Sequence, residues 1–212
     1  GGQLPSEREI SKAYGVSRMT ARKAIRGLIN EGLCTKEVGK GVFVAGSKIP
    51  MNVNYVEGTG KFFQKAGVAV TTTIIVKEFA VPGPEVADAL ALGADQECLH
   101  LGRVRYVNAE PVMIERAFAN PVVLDRSHLG KLGDSLYETV ARIAGIKPAY
   151  ATGVFNIALA GEEAAELLNV PFDFALLVKK TTVFGAGGTP IEYNITTYRT
   201  DKFKFIINEQ SS

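Results

Sequence analysis

The chain has no tryptophan, two histidines and only two cysteines among its 212 residues. Cys34 and Cys98 cannot build a disulfide framework, and we expect both to be buried free thiols. With so few thiols and imidazoles no four-ligand zinc site can be assembled, and no phosphate-cradling loop is present. The sequence therefore predicts neither a metal ion nor a cofactor.

Long apolar runs and a strong overall charge are also missing. No segment approaches the roughly 18 consecutive apolar residues of a membrane helix, and the Gly1-Gly2-Gln3 start lacks the profile of a signal peptide. With 46% hydrophobic residues, 22% charged residues and a net charge of +2, the composition is that of a globular chain of one or two domains. We expect a cytoplasmic protein without a membrane partner.

What the chain does have is an uneven distribution of charge. Residues 1–46 contain eight Lys or Arg and four Asp or Glu, a net charge of +4, whereas residues 47–212 contain sixteen and eighteen, a net charge of −2. A small basic head on a mildly acidic body indicates that the head binds a polyanion and that the body has a different task.

The head has the pattern of a helix-turn-helix. Ser6 and Glu9 have the spacing of a capping box, which starts a short helix, and Gly15 supplies the turn that ends it. Ser17 is the N-cap of a second helix, in which apolar residues recur at three- and four-residue spacing from Ala21 to Ile29. Two helices joined by so short a turn are typical of DNA-binding motifs.

Basic and polar residues follow the outer side of the second helix. These are Arg18, Arg22 and Arg26 in one stripe, with Ser17, Met19, Thr20 and Lys23 at the N-terminal end. That end is the part of a recognition helix that reaches base edges. Two short strand-like runs then flank Gly39-Lys40-Gly41, a basic hairpin tip suited to a minor groove. A solvated helix face and a simple turn would explain each feature alone, but together they favour DNA binding.

These segments resemble the winged helix-turn-helix of the GntR family of bacterial transcription regulators, on residues 4–9, 16–24 and 39–44. The resemblance implies contacts to phosphates and guanines from Arg8, Ser17, Arg18, Thr20 and Arg22, with Lys23 beside them, and minor-groove contacts from Gly39, Lys40 and Gly41. It also implies a helix ahead of Leu4. Because only Gly1–Gln3 precede that residue, we expect that the first helix is missing from the head of this chain, being either absent from the protein or located ahead of Gly1.

An irregular stretch with a proline predicts a linker at residues 47–52, between a DNA-binding domain at 1–46 and a body at 53–212. The body contains a weak internal repeat. Short helices at 85–92 and 162–168 align at the same offset as apolar strands at 99–106 and 176–183, and a further strand follows each of these. The pattern predicts an α+β fold with an antiparallel sheet and flanking helices.

A cationic site is predicted on one strand of the body. Arg103 and Arg105 are two residues apart and therefore share a face with Leu99 and Leu101, and Glu115 lies on the strand that pairs back across the hairpin. One interpretation is an exposed cross-strand salt bridge. The change from apolar to cationic along one face favours the other interpretation, the mouth of an anion-binding pocket.

The body, over residues 53–207, resembles the UTRA domain, the effector-binding domain of HutC-type GntR regulators. The matching motifs lie at 103–105, 110–116, 135–138, 190–192 and 198–205. The resemblance implies a chorismate-lyase-like fold and a phosphate or carboxylate held by Arg103, Arg105, Ser135 and backbone amides near Thr59 and Gly60. The polar remainder of the ligand would then contact Glu115, Glu192 and Tyr198.

We therefore predict a ligand-responsive transcription regulator of the repressor type, without catalytic residues. Its expected partners are double-stranded operator DNA and a small anionic effector, a sugar phosphate or carboxylate, and two operator half-sites require a homodimer. The alternative is a chorismate-lyase-like enzyme acting on a small carboxylate. No nucleophile stands beside a base, and His100 and His128 lie in no motif, so the sequence disfavours the enzyme.

Overall fold

The computed structural model describes residues 2–30, 33–37, 39–44, 46, 48–53, 56–132 and 135–208. The chain forms two compact units, which divide between Ile49 and Pro50. This division falls within residues 47–52, the predicted linker, of which Ser47 lies outside the described residues.

The first helix of the N-terminal unit begins where its capping residues predict. Helix α1 (Glu7–Tyr14) has Ser6 as its N-cap, and Ser6 Oγ accepts a hydrogen bond from the Glu9 amide. The Glu9 carboxylate in turn accepts a hydrogen bond from the Ser6 amide at 2.8 Å. The helix ends at Gly15, whose φ of 65° lies in the left-handed region that favours glycine.

The second helix, α2 (Arg18–Asn30), follows directly. Its N-cap is Ser17, whose Oγ accepts a hydrogen bond from the Thr20 amide at 3.1 Å. Ala21 and Ile25 on its apolar stripe are buried. The predicted helix-turn-helix is therefore confirmed.

A two-stranded wing completes this unit. Strand β1 (Cys34–Glu37) pairs antiparallel with β2 (Gly41–Val44), and backbone hydrogen bonds join residues 2–4 to β2 as well. Gly41 has a φ of 121°, and a Cβ at this position would lie 2.6 Å from Gln3 Nε2. The Gln3 side chain can move, but the backbone conformation of the wing already favours a glycine here, independently of any approach to DNA.

The elements of the C-terminal unit alternate short helices with long strands. In chain order they are β3 (Ile49–Asn52), α3 (Thr59–Lys65), β4 (Val70–Ala80), α4 (Pro84–Leu90), β5 (Cys98–Val107), β6 (Glu110–Ala119), a 3-10 helix (Arg126–Lys131), α5 (Leu136–Ala144), β7 (Pro148–Leu159), α6 (Glu162–Leu168), β8 (Ala175–Gly185), β9 (Pro190–Arg199) and β10 (Phe203–Ile206).

Six of these strands form one sheet in the order β4-β5-β6-β9-β8-β7. All neighbours are antiparallel, and the two copies of the repeat, β4 to β6 and β7 to β9, meet at β6 and β9. Helix α4 packs against β9 and α6 against β6, so the helix of each copy covers a strand of the other. The predicted repeat and antiparallel sheet are confirmed.

The predicted alignment of the two copies, however, is one residue out of register. It matched Leu99 with Leu176, but Leu99 packs under α5 on one face of the sheet and Leu176 packs against α6 on the other. Ala91 and Asn169 are the left-handed C-caps of α4 and α6, so they are equivalent positions in the two copies. Their separation in sequence is one residue longer than the separation that aligned strand 99–106 with strand 176–183. Because successive strand residues point to opposite faces, this slip exchanges the faces of the second copy.

Four strands of this unit, β3, β4, β7 and β10, were not predicted. The edge strands β4 and β7 expose most of their side chains, so they show no clear alternation of buried and exposed residues. Strand β3 lies inside the predicted linker and pairs with β10, so residues 49–52 are strand and not irregular chain.

The two faces of the sheet are covered differently. We call the face that carries Arg103 and Glu115 the cavity face. At one end, α5 packs over Leu99 and Leu101 on this face, while α4 and α6 cover the opposite face. The cavity face is therefore apolar at one end and charged at the other, as the spacing on β5 predicts.

None of the described helices is long and apolar enough to span a membrane. The described part of the chain also contains no cluster of three or more His, Cys, Asp or Glu that could hold a metal ion. Cys34 and Cys98 are buried free thiols, as predicted.

Candidate functional site

A cavity of about 310 Å³ lies on the charged end of the cavity face. Its walls are the sheet strands, the first turn of α3 and the first turn of α5. All eight residues predicted to bind an effector line this one cavity: Thr59, Gly60, Arg103, Arg105, Glu115, Ser135, Glu192 and Tyr198.

Two arginines share one carboxylate at the base of the cavity. Strand register places Arg103 opposite Glu115, and Arg103 Nη2 lies 2.9 Å from Glu115 Oε2. Arg105 Nη2 donates to the same oxygen at 3.2 Å. The three side chains are only 5 to 7% exposed, so the interpretation as an exposed surface salt bridge is wrong.

Further hydrogen bonds fix this charged group. Thr59 Oγ1 donates to the second Glu115 oxygen at 2.6 Å, and Arg105 Nη1 donates to Thr72 Oγ1 at 2.7 Å. Burial raises the pKa of Glu115, but Arg103, Arg105 and Thr59 outweigh burial, so this pKa lies below its ordinary value. The carboxylate is therefore ionised at neutral pH, and the group of two arginines and one glutamate carries one net positive charge.

Two helix starts face this positive charge. Thr59 and Gly60 are the first residues of α3, and helix geometry leaves their amides without an acceptor inside the helix. Ser135 is the N-cap of α5, and its Oγ accepts a hydrogen bond from the Glu138 amide at 3.3 Å. The resemblance implied only that backbone amides near Thr59 and Gly60 bind the ligand, and the structure places both residues in a first helical turn.

Glu192 is a second buried carboxylate, at another part of the wall. It accepts hydrogen bonds from the Tyr137 hydroxyl and from Asn194 Nδ2, the latter at 3.3 Å. Burial first, and then the nearby Glu115, raise the pKa of Glu192 to about 6. Among the described residues, its Oε2 and the buried Thr181 Oγ1 have no hydrogen-bond partner. These two atoms remain available to polar groups of a ligand.

Several further lining residues were not predicted from the sequence. They are Tyr137 on α5, Lys179 and Thr181 on β8, and Asn194 and Thr196 on β9. Asn194 and Thr196 lie between Glu192 and Tyr198 at two-residue spacing, so all four side chains face the same side of β9. This spacing can be read from the sequence. The predicted alignment of strands 99–106 and 176–183 is one residue out of register. It therefore implied that Lys179 and Thr181 lie on the face opposite to Arg103 and Arg105. Burial lowers the pKa of Lys179.

The residues predicted to contact DNA lie on the N-terminal unit. Arg8, Ser17, Arg18, Thr20 and Lys23 are exposed on α1 and α2, and Gly39 and Lys40 are exposed at the wing tip, beside the half-buried Gly41. Gln3 Nε2 donates to the Lys40 carbonyl at 2.7 Å. Arg22 is exposed too, but its guanidinium is held by the Glu7 carboxylate.

A basic helix-turn-helix with a wing, joined to a sheet domain that encloses a charged cavity, defines the class of bacterial transcription regulators with an effector domain. Comparison with known families agrees. Residues 1–44 match the bacterial regulatory proteins of the gntR family, and residues 65–204 match the UTRA domain. The chain belongs to the GntR family and, through its UTRA domain, to the HutC type.

Curated relatives match nearly the whole length of the chain. The chain is 29% identical over 206 residues to the HTH-type transcriptional repressor NagR of Bacillus subtilis, a match covering 96% of this chain and 84% of NagR. It is 28% identical to the HTH-type transcriptional regulator GgaR of Escherichia coli over 209 residues, covering 99% of this chain and 83% of GgaR.

A solved structure shares the fold. The crystal structure of PhnF from Mycobacterium smegmatis matches with a TM-score of 0.72 at 22% identity, covering 100% of this chain and 93% of PhnF. The family matches and this shared fold confirm the predicted winged helix-turn-helix with a UTRA domain, and by the family matches the protein is a GntR-family transcription regulator.

Proposed function

We propose that this regulator is a repressor that binds operator DNA as a homodimer and leaves it when a small anionic metabolite enters the UTRA cavity. The observation that carries the proposal is the pair of buried arginines, Arg103 and Arg105, sharing the single carboxylate of Glu115. NagR, one of the relatives, is itself named a repressor.

The charge balance of the cavity favours an anion. Arg103, Arg105 and Lys179 are the cations on its walls, and the carboxylates are Glu115, Glu192 and Glu57. Glu57 is already paired with Lys65 at 2.5 Å, so it does not offset the charge of the arginines. Guanidinium groups do not lose their proton, so an excess of buried positive charge must be met by solvent or by a ligand. A phosphate or carboxylate, with the amides of Thr59 and Gly60 nearby, meets it best.

The rest of the ligand is proposed to be polar. Glu192, Asn194, Thr181 and Thr196 offer donors and acceptors along the wall, which suits hydroxyl groups better than an alkyl chain. A sugar phosphate or a hydroxylated carboxylate fits this lining. A further relative, 34% identical over 118 residues, is named a probable fructoselysine utilization operon transcriptional repressor. The fructose part of that name agrees with a sugar-derived ligand.

The proposed DNA contacts come from α1, α2 and the wing. Arg8, Arg18 and Arg22 would contact phosphates and guanines, Ser17, Thr20 and Lys23 would contact the adjacent backbone, and Gly39 to Gly41 would approach the minor groove. The proposed domains are residues 1–46 for DNA binding and 53–212 for the effector, with 47–52 joining them.

Strand β7 supports the proposed homodimer. It is an edge strand of twelve residues without a single charged side chain, and it exposes Val154, Phe155, Ile157 and Leu159. Isolated edge strands are protected by charges, as the opposite edge β4 is by Lys77 and Glu78. Antiparallel pairing of β7 with a second copy of itself obeys two-fold symmetry and creates no like-charge contacts.

A thermal-shift screen of hexose phosphates, small carboxylates and the corresponding uncharged sugars tests the proposed ligand class. A compound that binds only the folded chain raises its melting temperature as its concentration passes the dissociation constant. We expect a shift in the wild type that is lost in Arg103→Ala, and loss of operator binding on addition of the same compound. A screen in which only uncharged compounds bind would contradict the proposal.

A further inference from the structure

Arg22 on α2 is held in place by a carboxylate from α1. Arg22 Nε lies 2.9 Å from Glu7 Oε1 and 3.1 Å from Glu7 Oε2, and Arg22 Nη2 lies 2.9 Å from Glu7 Oε2. Two or more hydrogen bonds between planar groups fix their relative orientation as well as their distance. The guanidinium plane of Arg22 is therefore fixed relative to both helices.

The contact leaves one edge of the guanidinium available. A guanidinium has five N–H donors in one plane, and Glu7 occupies the edge formed by Nε and Nη2. The second hydrogen of Nη2 and one hydrogen of Nη1 form the other two-donor edge, and the side chain is 49% exposed. Two adjacent N–H groups on one edge match the O6 and N7 acceptors of guanine in the major groove.

Glu7 also changes the charge that DNA would meet. The hydrogen bond from Arg22 is the largest influence on the pKa of Glu7 and lowers it, and the positive charges of Arg26 and Lys36 act in the same direction. The carboxylate is thus ionised, and the Arg22–Glu7 pair is neutral as a whole. A neutral pair attracts a phosphate weakly, whereas it can still donate two hydrogen bonds to a base edge.

We propose that Glu7 is a specificity-determining residue of the DNA-binding surface. Its carboxylate binds Nε and Nη2 of Arg22. The edge formed by Nη1 and Nη2 is thereby presented to a single guanine, and the guanidinium is kept off the phosphate backbone. The inference rests on the proposed contact of α2 with the operator. It adds that Arg22 specifies a base through a partner that itself touches no DNA.

The test uses the full chain and an operator selected from random DNA by the wild type. Each base pair of one half-site is then replaced in turn, and affinity is measured for the wild type, Arg22→Ala, Glu7→Gln and Glu7→Asp. Glu9→Gln is the matched control, because Glu9 lies in the same helical turn but hydrogen-bonds to Ser6 and not to Arg22. Circular dichroism checks that each variant is folded.

We expect the wild type to lose about 10- to 100-fold in affinity when one particular guanine is replaced. Arg22→Ala and Glu7→Gln should both lose this preference at the same position, Glu7→Asp should retain part of it, and Glu9→Gln should retain all of it. The slope of log affinity against log salt concentration should be unchanged in Arg22→Ala, since a lost phosphate contact would reduce the slope by about one.

Two results would overturn the inference. One is a Glu7→Gln variant that keeps the preference which Arg22→Ala loses. The other is a uniform gain in affinity of Glu7→Gln for every sequence, which would make Glu7 a mere competitor of DNA for Arg22. If Arg18→Ala and Arg22→Ala both bind the operator like the wild type, the placement of α2 on DNA fails instead, which is a separate result.

Discussion

Replacing Glu192 by glutamine should stabilise the protein, and by an amount that depends on pH. The pKa of Glu192 in the folded chain is raised from 4.5 to about 6, mainly because the side chain is buried. A carboxyl whose pKa is raised on folding holds its proton more tightly in the folded state, so the free energy of unfolding falls as pH rises from 4.5 through 6. Above pH 7 the ionised group costs about 2 kcal/mol, from 1.36 kcal/mol per pKa unit.

Glutamine has the same shape and does not ionise. Its oxygen can still accept from Tyr137 or Asn194, and its amide would replace the Oε2 atom that has no partner among the described residues. We expect Glu192→Gln to raise the free energy of unfolding relative to the wild type by about 1 kcal/mol more at pH 7.5 than at pH 5.

Urea unfolding followed by circular dichroism at the two pH values measures this difference. Glu78→Gln, at an exposed glutamate on β4, is the control for removing a carboxylate that is not buried. If Glu192→Gln destabilised the protein equally at both pH values, Glu192 would be an ordinary hydrogen-bonding residue, and the reasoning from its burial would be refuted.

Three further predictions concern DNA binding, the cavity and the dimer. Arg18→Ala should weaken binding to a selected operator by roughly 5- to 150-fold in a gel-shift assay, the range for one bidentate base contact; an unchanged affinity would remove Arg18 from the interface. Glu115→Ala should lower the free energy of unfolding by about 3–5 kcal/mol, because it leaves two buried arginines side by side without a carboxylate. Arg105→Ala should lower it by less, because Glu115 keeps Arg103 as a partner, and an equal loss in denaturant unfolding would contradict the shared ion pair. Ile157→Lys on β7 should convert the proposed dimer to a monomer in analytical ultracentrifugation, with Thr73→Lys at the exposed edge β4 as the control. An Ile157→Lys variant that remained dimeric would place the interface elsewhere.

Much of the fold follows from local sequence signals. Ser6, Glu9, Gly15 and Ser17 act through hydrogen bonds and backbone conformation within a few residues, so the helix-turn-helix could be placed residue by residue. The spacing of Arg103 and Arg105 gave their common face for the same reason. That both are buried did not follow, since burial depends on α3 and α5, which are distant in sequence.

The unpredicted parts depend on long-range packing. Strands β4 and β7 are defined by their pairing with β5 and β8, because their own exposed residues show no periodic pattern. The role of Lys179 depends on the face to which it points, and a one-residue slip in a weak repeat reverses that face. The Glu7–Arg22 pair joins residues on two helices whose relative orientation no local pattern supplies.

The central claim is that an anion in the UTRA cavity controls DNA binding by the head. The most direct measurement is a titration of the compound found by thermal shift into operator complexes of the wild type and of Arg105→Ala. We predict that both proteins bind the operator equally without the compound, that the compound releases only the wild type, and that operator DNA lowers the affinity of the wild type for the compound by the same factor. Equal loss of operator binding in Arg105→Ala without any compound would contradict the claim and make this arginine a structural residue.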